Sequence, residues 1–379
     1  MQFLLDHPRF GRVFVALLPL LATLAALALG AVMLLFLGAN PLEAYAALVS
    51  GAFGSSNALA DTVVKATPLL LVGLGICIAF RGGVINIGGE GQLIVGAVLA
   101  TWVGLRLPDA SPFVVIVLGL LAGFVGGAIW GGIAGLLKAY FNVNEILSTI
   151  MLNVIAVQAM NFLLRGPMID PAQLETASRI PQTARLERAF DLPRLVPTRL
   201  HLGAGIAVVL AILVYIFLWR TSIGYRIRAV GLSQPASRYA GIGVKRYIVT
   251  ALLLGGAFAG LAGAIQIFGV HHRMFTDGSA AGFTGSAGFN GIVAALFGQL
   301  HPVGTVPASF IFGALLVGAN SMQRAVQVPA AFITALNGLV VVFVVSSEII
   351  RRRLARRRAS MADSQPLPRV EAEQSGVPA

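Results

Sequence analysis

The sequence predicts an all-α, polytopic integral membrane protein of about ten transmembrane helices, built on an inverted repeat with both termini cytoplasmic. Three observations carry this. Hydrophobic residues make up 57% of the 379 residues and charged residues only 11%, where a soluble domain carries about 25% charge. The basic residues, which give a net charge of +12, gather in short loops and at the end of the chain, as cytoplasmic loops do. Apolar runs of roughly spanning length recur between those loops. The cations do not lie on an aromatic-interleaved face, so no nucleic-acid partner is expected and membrane lipid is. The single cysteine, Cys77, excludes an internal disulfide framework and a cysteine-rich metal site.

The elements follow in order. Arg9 and Arg12 precede an uncharged run from Val13 to Leu37, longer than the roughly 7–15 apolar residues of a cleaved signal, so it reads as a retained span. An outside segment runs to Lys65, with a short amphipathic helix over Pro41–Val49. The run Ala66–Phe80 is short for a span and holds Pro68, Gly73 and Gly75, which reads as a helix broken or mostly buried in protein. Further spans are expected over Leu93–Leu105, Pro112–Leu137, Asn144–Leu164, Leu202–Trp219, Tyr247–Val270, Gly285–Leu300, Val303–Asn320 and Val328–Ser347. Arg81, Lys138, the loop Arg220–Arg246 and the run Arg351–Arg358 then all fall on the cytoplasmic side. The polar stretch 165–200 falls outside. Residues 1–350 are thus one transmembrane domain with repeat halves of about 66–164 and 247–347. Residues 351–379 form a basic cytoplasmic tail, expected to be disordered.

The repeat rests on two stretches of like shape, NIGGEGQLIVGAVLAT around Glu90 and SAGFNGIVAALFGQLHPVG around Asn290. By parity they run in opposite directions, and solute paths in such folds lie at the repeat interface beside discontinuous helices. Asn86, Glu90, Gln92 and Asn290 are therefore candidate pathway residues. Glu90 either sits within the membrane, with Arg81 as its partner, or lies at the inner surface and caps a helix N-terminus. Glu145, Thr149 and Asn153 recur every four residues and share one helical face, which either bonds helix to helix or lines the path. Glycine-rich pieces lack the phosphate-loop pattern. His271 and His272 are adjacent and read as an outer loop, and no catalytic constellation is evident.

The loop 220–246 carries six basic residues and no acid, and its middle reads as a short helix on the membrane surface, facing a soluble partner. Three runs now carry a resemblance: FRGGVINIGGEGQLIVGAVLA from Phe80, NVNEILSTIMLNVI from Asn142 with NFLLRGP after it, and SIGYRIRAVGLSQPASRYAGI from Ser222. Together they resemble permeases of bacterial ABC importers of the simple-sugar and nucleoside type, within the larger set of ribose and branched-chain amino-acid permeases. The resemblance implies a multi-pass subunit of the bacterial cytoplasmic membrane that is not itself an enzyme and binds no cofactor. Mg-ATP would be held by partner ATPase subunits, and solute delivered by an extracytoplasmic binding lipoprotein. It also implies a second permease, here a different chain because the loop 165–200 resembles the longer of two paired permeases. The segment Gly231–Gly243 matches the family's coupling helix, with Gly231, Ala236, Ser237, Ala240, Gly241 and Ile242 as ATPase-coupling residues. The solute would be a nucleoside or simple sugar. The alternative is an ion-coupled secondary transporter, which needs a relay of buried acids; Glu90 and Glu145 are the candidates. A channel or a membrane enzyme lacks its signature.

Overall fold

The computed structural model describes residues 8–347, apart from residue 178 and scattered positions between 330 and 345. The tail 351–379 lies outside the described residues, and the expected span 328–347 is described only in part. The described residues form helices and irregular chain, with two isolated β-bridges joining Gln182 to Phe275 and Arg194 to His201.

The first helix, α1 (Pro8–Phe36), turns into α2 (Pro41–Phe53). Asn40 starts α2 by accepting the Leu42 N–H, and Pro41 occupies the first turn, where its missing donor costs nothing. Next comes α3 (Ser56–Arg81), one continuous helix through Pro68. The sequence placed its outer end near Ala66. It starts at Ser56 because Asp61 and Lys65 face a polar cavity rather than lipid, and so need no apolar neighbours. Pro68 removes the N–H that the Val64 carbonyl would have received, and both residues border the same cavity system.

After a non-helical segment comes α4 (Gly89–Arg106), then α5 (Pro112–Phe141) and α6 (Glu145–Arg165). Asn144 starts α6 by accepting from Ile146 and Leu147. The outer loop contains one helical turn, α7 (Pro171–Leu174), and leads to α8 (Leu202–Arg220). Two short helices, α9 (Ser222–Leu232) and α10 (Gln234–Tyr239), form the basic loop. Then α11 (Val244–Gln266) widens into a π-helical turn over Ile267–His271. The last described helices are α12 (Ala280–Thr284), α13 (Ala287–Phe297) and α14 (Pro302–Val326).

Among the described residues six helices, α3, α5, α6, α8, α11 with its π turn, and α14, are long and apolar enough to cross a membrane. In α3 and α11, 83% and 78% of the most apolar stretch is buried, against 28% in α6 and α8. The first two are therefore the axis, and α6 and α8 turn Phe162 and Ile212 outward. Glycine sets how closely α11 approaches its neighbours. A Cβ at Gly127 of α5 would stand 2.2 Å from the Gly256 carbonyl, and one at Gly260 2.2 Å from that of Gly123. Backbone lies on backbone here, the packing that small residues permit between membrane helices.

Candidate translocation site and coupling face

The segment 82–88 is non-helical backbone packed against the helix bundle, with Gly82, Val84, Asn86 and Gly88 buried, and such backbone is tolerated at membrane depth only where its polar groups are satisfied. The polar residues read from the sequence do this. Asn86 and Gln92 exchange side-chain hydrogen bonds, each 3.1 Å, and Asn86 also accepts the Gly88 N–H at 2.9 Å. Asn153 accepts from Gly91 at 2.8 Å and donates to the Ile87 carbonyl at 2.9 Å. Thr149 accepts from Ile87. Asn86, Gln92, Thr149 and Asn153 are all buried. Of the two readings left open for the α6 face, the contacts of Asn153 and Thr149 are bonding, to α4 at Gly91 and to the segment before it at Ile87. Glu145, on the same face, pairs with Lys138 at 2.8 Å.

Glu90 is 1% exposed and sits where two helix N-termini meet. One carboxylate oxygen accepts the Phe289 N–H at 3.2 Å, and the other has no hydrogen-bond partner. The approach is close: a Cβ on Gly288 would lie 2.3 Å from the Glu90 nitrogen. Val72, midway along α3, packs against both Gly89 and Gly291. Glu90 is therefore about nine residues, or roughly 14 Å, along α3 from Arg81. Arg81 is not among the groups bonded to the Glu90 carboxyl, and of the alternative reading the contact with a helix N-terminus is what is seen. The segment 82–88 carries the chain back into the bundle, while Arg81 donates to the Leu300 carbonyl and lies over the Trp219 ring. Two opposed N-termini create positive potential, and a buried carboxylate answers it. The α13 stretch is only 11 residues, about 16 Å, and Gly285 and the non-glycine Ser286 ahead of it are both left-handed. Asn290 is half-buried in its first turn.

A funnel reaches this region from the face that carries the loop 165–200. Its mouth is a cavity of about 1150 Å³, ringed by Lys65, Arg185, Arg194, Arg199 and Arg324, with Asp61 as the acid on its wall. It continues into about 200 Å³ bordered by Lys65, Pro68, Gln266, Thr284 and Asn320. A recess of about 30 Å³ opens beside it between Gln266 and His201. Thr284 joins the inner chamber to Glu90, whose carboxyl it faces. The sequence reading missed Lys65, Gln266, Thr284 and Asn320. Each lies on a different stretch of chain, and no local pattern links them.

The outer loop is folded, not a free arm. Leu186, Phe190 and Leu192 are buried, and the Thr183, Leu186 and Leu192 amides bond to carbonyls of Met274, His272 and Phe268. His272 meets Asp191 at 2.7 Å. Burial holds the His272 imidazole below its usual pKa, opposed by Asp191 and assisted by Arg185 and Arg194.

In the basic loop, α10 ends in a two-bond motif: Ile242 donates to Ser237 and Gly241 to Arg238, with Gly241 at φ 76°. Only a residue without Cβ adopts this backbone cheaply. The six residues expected to couple to an ATPase divide. Ala236, Ala240 and Gly241 face outward, Ser237 is buried and Ile242 is half-buried. Gly231 is wedged inward, where a Cβ would stand 2.0 Å from the Arg81 carbonyl. Leu232 and Tyr239 are the large side chains offered to solvent, 88% and 97% exposed. Because Gly231 also packs on Gly83, the basic loop touches the segment that positions Asn86 and Glu90.

An all-helical membrane body with a polar funnel, ending where two helix N-termini meet, is a transport subunit. The chain belongs to the family described as branched-chain amino acid transport system / permease component, which matches residues 58–345. It is 37% identical over 335 residues to the guanosine ABC transporter permease protein NupP of Bacillus subtilis, covering 88% of this chain and 94% of the relative. It is 36% identical to the glucose ABC transporter permease protein TsgB13 of Haloferax volcanii, with 88% of each chain covered. The nucleoside ABC transporter permease protein NupB of Lactococcus lactis is 30% identical, covering 91% of this chain and 95% of the relative. No solved structure matches.

Proposed function

We propose that this chain is the permease subunit of an importer in a bacterial cytoplasmic membrane, moving a nucleoside, or a simple sugar, inward at the expense of ATP hydrolysed by a separate subunit. The observation that carries it is the funnel, whose inner chamber is bordered by Thr284 beside buried Glu90, in a chain similar along most of its length to permeases named for guanosine, nucleosides and glucose. The ATPase binds the cytoplasmic loop, with Leu232 and Tyr239 as apolar anchors and Ala236, Ala240 and Gly241 allowing close approach. Force there reaches the site through Gly231, Gly83 and the segment 82–88. This chain binds no cofactor, and Mg-ATP stays in the partner.

Ten crossings in two inverted halves accommodate the helices if α12 and α13 together make one interrupted crossing. The N-termini of α4 and α13 would then be the repeat-related half-helices. The second permease is a different chain. Relatives come in pairs named for one solute within one organism, NupP and NupQ, NupB and NupC, and this chain is more similar to the first of each, at 37% against 29% and 30% against 26%. The ring of arginines at the mouth suits an acidic face on a delivering lipoprotein. The ion-coupled alternative is weaker, because Glu145 is paired with Lys138 and leaves Glu90 without a relay partner.

Deleting the gene from its native host and measuring uptake of labelled guanosine, uridine and glucose tests the proposal. Loss of nucleoside or glucose uptake, restored by the gene, together with an ATPase, a second permease and a lipoprotein co-purifying from mild detergent, is expected. Unchanged uptake of all three solutes and no ATPase overturns it.

A further inference from the structure

We propose that the recess between Gln266 and His201 is a hydroxyl-binding station on the transport path, which takes one hydroxyl of a ribose or hexose ring as the solute leaves the outer funnel. The inference rests on the reading of the chain as a solute permease and adds the group that the membrane interior recognises.

Two buried polar atoms in this recess have no partner: Oε1 of Gln266, a residue 7% exposed, and Nε2 of His201, a residue 1% exposed. Buried polar atoms are almost always bonded, so an orphan pair bordering one cavity asks for a ligand. Their chemistry is complementary. His201 starts α8, and its Nδ1 accepts the Gly203 N–H at 3.1 Å. That nitrogen is therefore unprotonated, and the ring proton sits on Nε2 as a donor. Burial lowers the His201 pKa to about 4, so the ring stays neutral near pH 7. Gln266 Oε1 is an acceptor. A group satisfying both must donate and accept through one small atom, which a hydroxyl or a water does and a carbonyl, ether or ammonium does not.

The space agrees. The recess of about 30 Å³ holds one oxygen-sized group, and Gln266 and Lys65 also border the 200 Å³ chamber that would hold the rest of a sugar ring. Gln266 is the last residue of α11 before the chain widens into the π turn, a feature that often marks functional positions in helices. With no solute present a water fills the recess. A solute hydroxyl reproduces the same two bonds on displacing it, whereas a deoxy analogue cannot.

The test uses the full chain in lipid nanodiscs and equilibrium binding of labelled guanosine, uridine and D-glucose, each beside its monodeoxy analogues. The wild type is expected to bind one of these classes and to lose tenfold or more in affinity for one deoxy position. A loss at the 2′ or 3′ position of the nucleosides identifies ribose as the source, and a loss at a hexose position identifies sugar. Gln266→Met, close in size but without the acceptor, should weaken the parent solute by a similar factor and abolish discrimination against that analogue. A merely structural Gln266 would not produce this coupling. Equal binding of parent and analogues by the wild type means that the recess holds water only, and overturns the station. Discrimination persisting unchanged in Gln266→Met overturns it too, as does failure of the wild type to bind any solute. The uptake experiment on the deletion strain decides the permease reading separately.

Discussion

Two side chains illustrate how individual residues are held. Glu90 is a single carboxylate between two helix N-termini, accepting from Phe289 with its second oxygen unmatched. Replacing it with leucine strands the Phe289 donor, costing about 1–3 kcal/mol, and removes the carboxyl facing both N-termini, worth about 0.3–2 kcal/mol. Glu90→Leu should therefore lower the thermal unfolding midpoint in detergent by several degrees, with Glu90→Gln closer to wild type; an unchanged midpoint for Glu90→Leu would show that the helix junction does not need the carboxylate. His201 gives a pH dependence. Its folded pKa, about 4, lies below the usual 6.5, so the unfolded chain takes up its proton first as pH falls. The stability due to neutral His201 is complete above about 6.5 and declines through the window from there to about 4. Lys65 and His271 border the same recess, and His272 acts on the ring through its charge. All three disfavour a second positive charge when protonated. A melting series from pH 8 to 5 should show this slope, and it should flatten in His201→Asn. An equal slope in the variant would move the cause elsewhere.

Among the elements, α10 and the α5–α11 contact make opposite demands on glycine. Gly241 has open space around it but a left-handed backbone, so Gly241→Val strains the turn by about 1–3 kcal/mol without a clash. The protein should still insert and fold, while ATP-driven uptake falls. Leu232→Asp with Tyr239→Asp keeps the backbone and removes the exposed anchors, so it should abolish co-purification of the ATPase and leave the melting temperature alone. If the ATPase still co-purifies with that double variant, the docking assignment is wrong. Gly127 is the reverse case, where a Cβ would stand 2.2 Å from a carbonyl with helical backbone behind it. Gly127→Leu should fail to give a monodisperse protein at all, as judged by size-exclusion chromatography.

Across the whole molecule, charge gathers at two ends. The basic loop lies at one end of the bundle, and five cations with one acid ring the mouth at the other. The outer loop packs Leu186, Phe190 and Leu192 into the core, so removing 176–195 would unfold it. Reversing Arg185, Arg194 and Arg199 to glutamate is the cleaner probe. The triple variant should fold and should lose affinity for the delivering lipoprotein. Wild-type binding should weaken as salt rises, since exposed charges are screened within about 8 Å at physiological ionic strength. Salt-independent binding, matched by the variant, would place the delivery contact elsewhere.

By itself the sequence determined the class, the apolar runs, the clustering of basic residues between them and the motifs that carry family membership. These are local properties: hydropathy averages over neighbouring residues, and a glycine-rich or coupling motif is contiguous. It also picked out the polar residues around 86–92 and 149–153, because polarity inside an apolar run stands out. Only the tertiary structure decided their depth and direction. The chain re-enters the bundle after Arg81, which brings Glu90 to the Phe289 amide. Gly231 and Ser237 turn inward because the basic loop folds back on Gly83 and α11. Gln266 and His201 meet across 65 residues of chain, each unremarkable among its own neighbours. A funnel is built from the faces of several helices, and which faces converge is set by packing between helices, which no stretch of sequence contains.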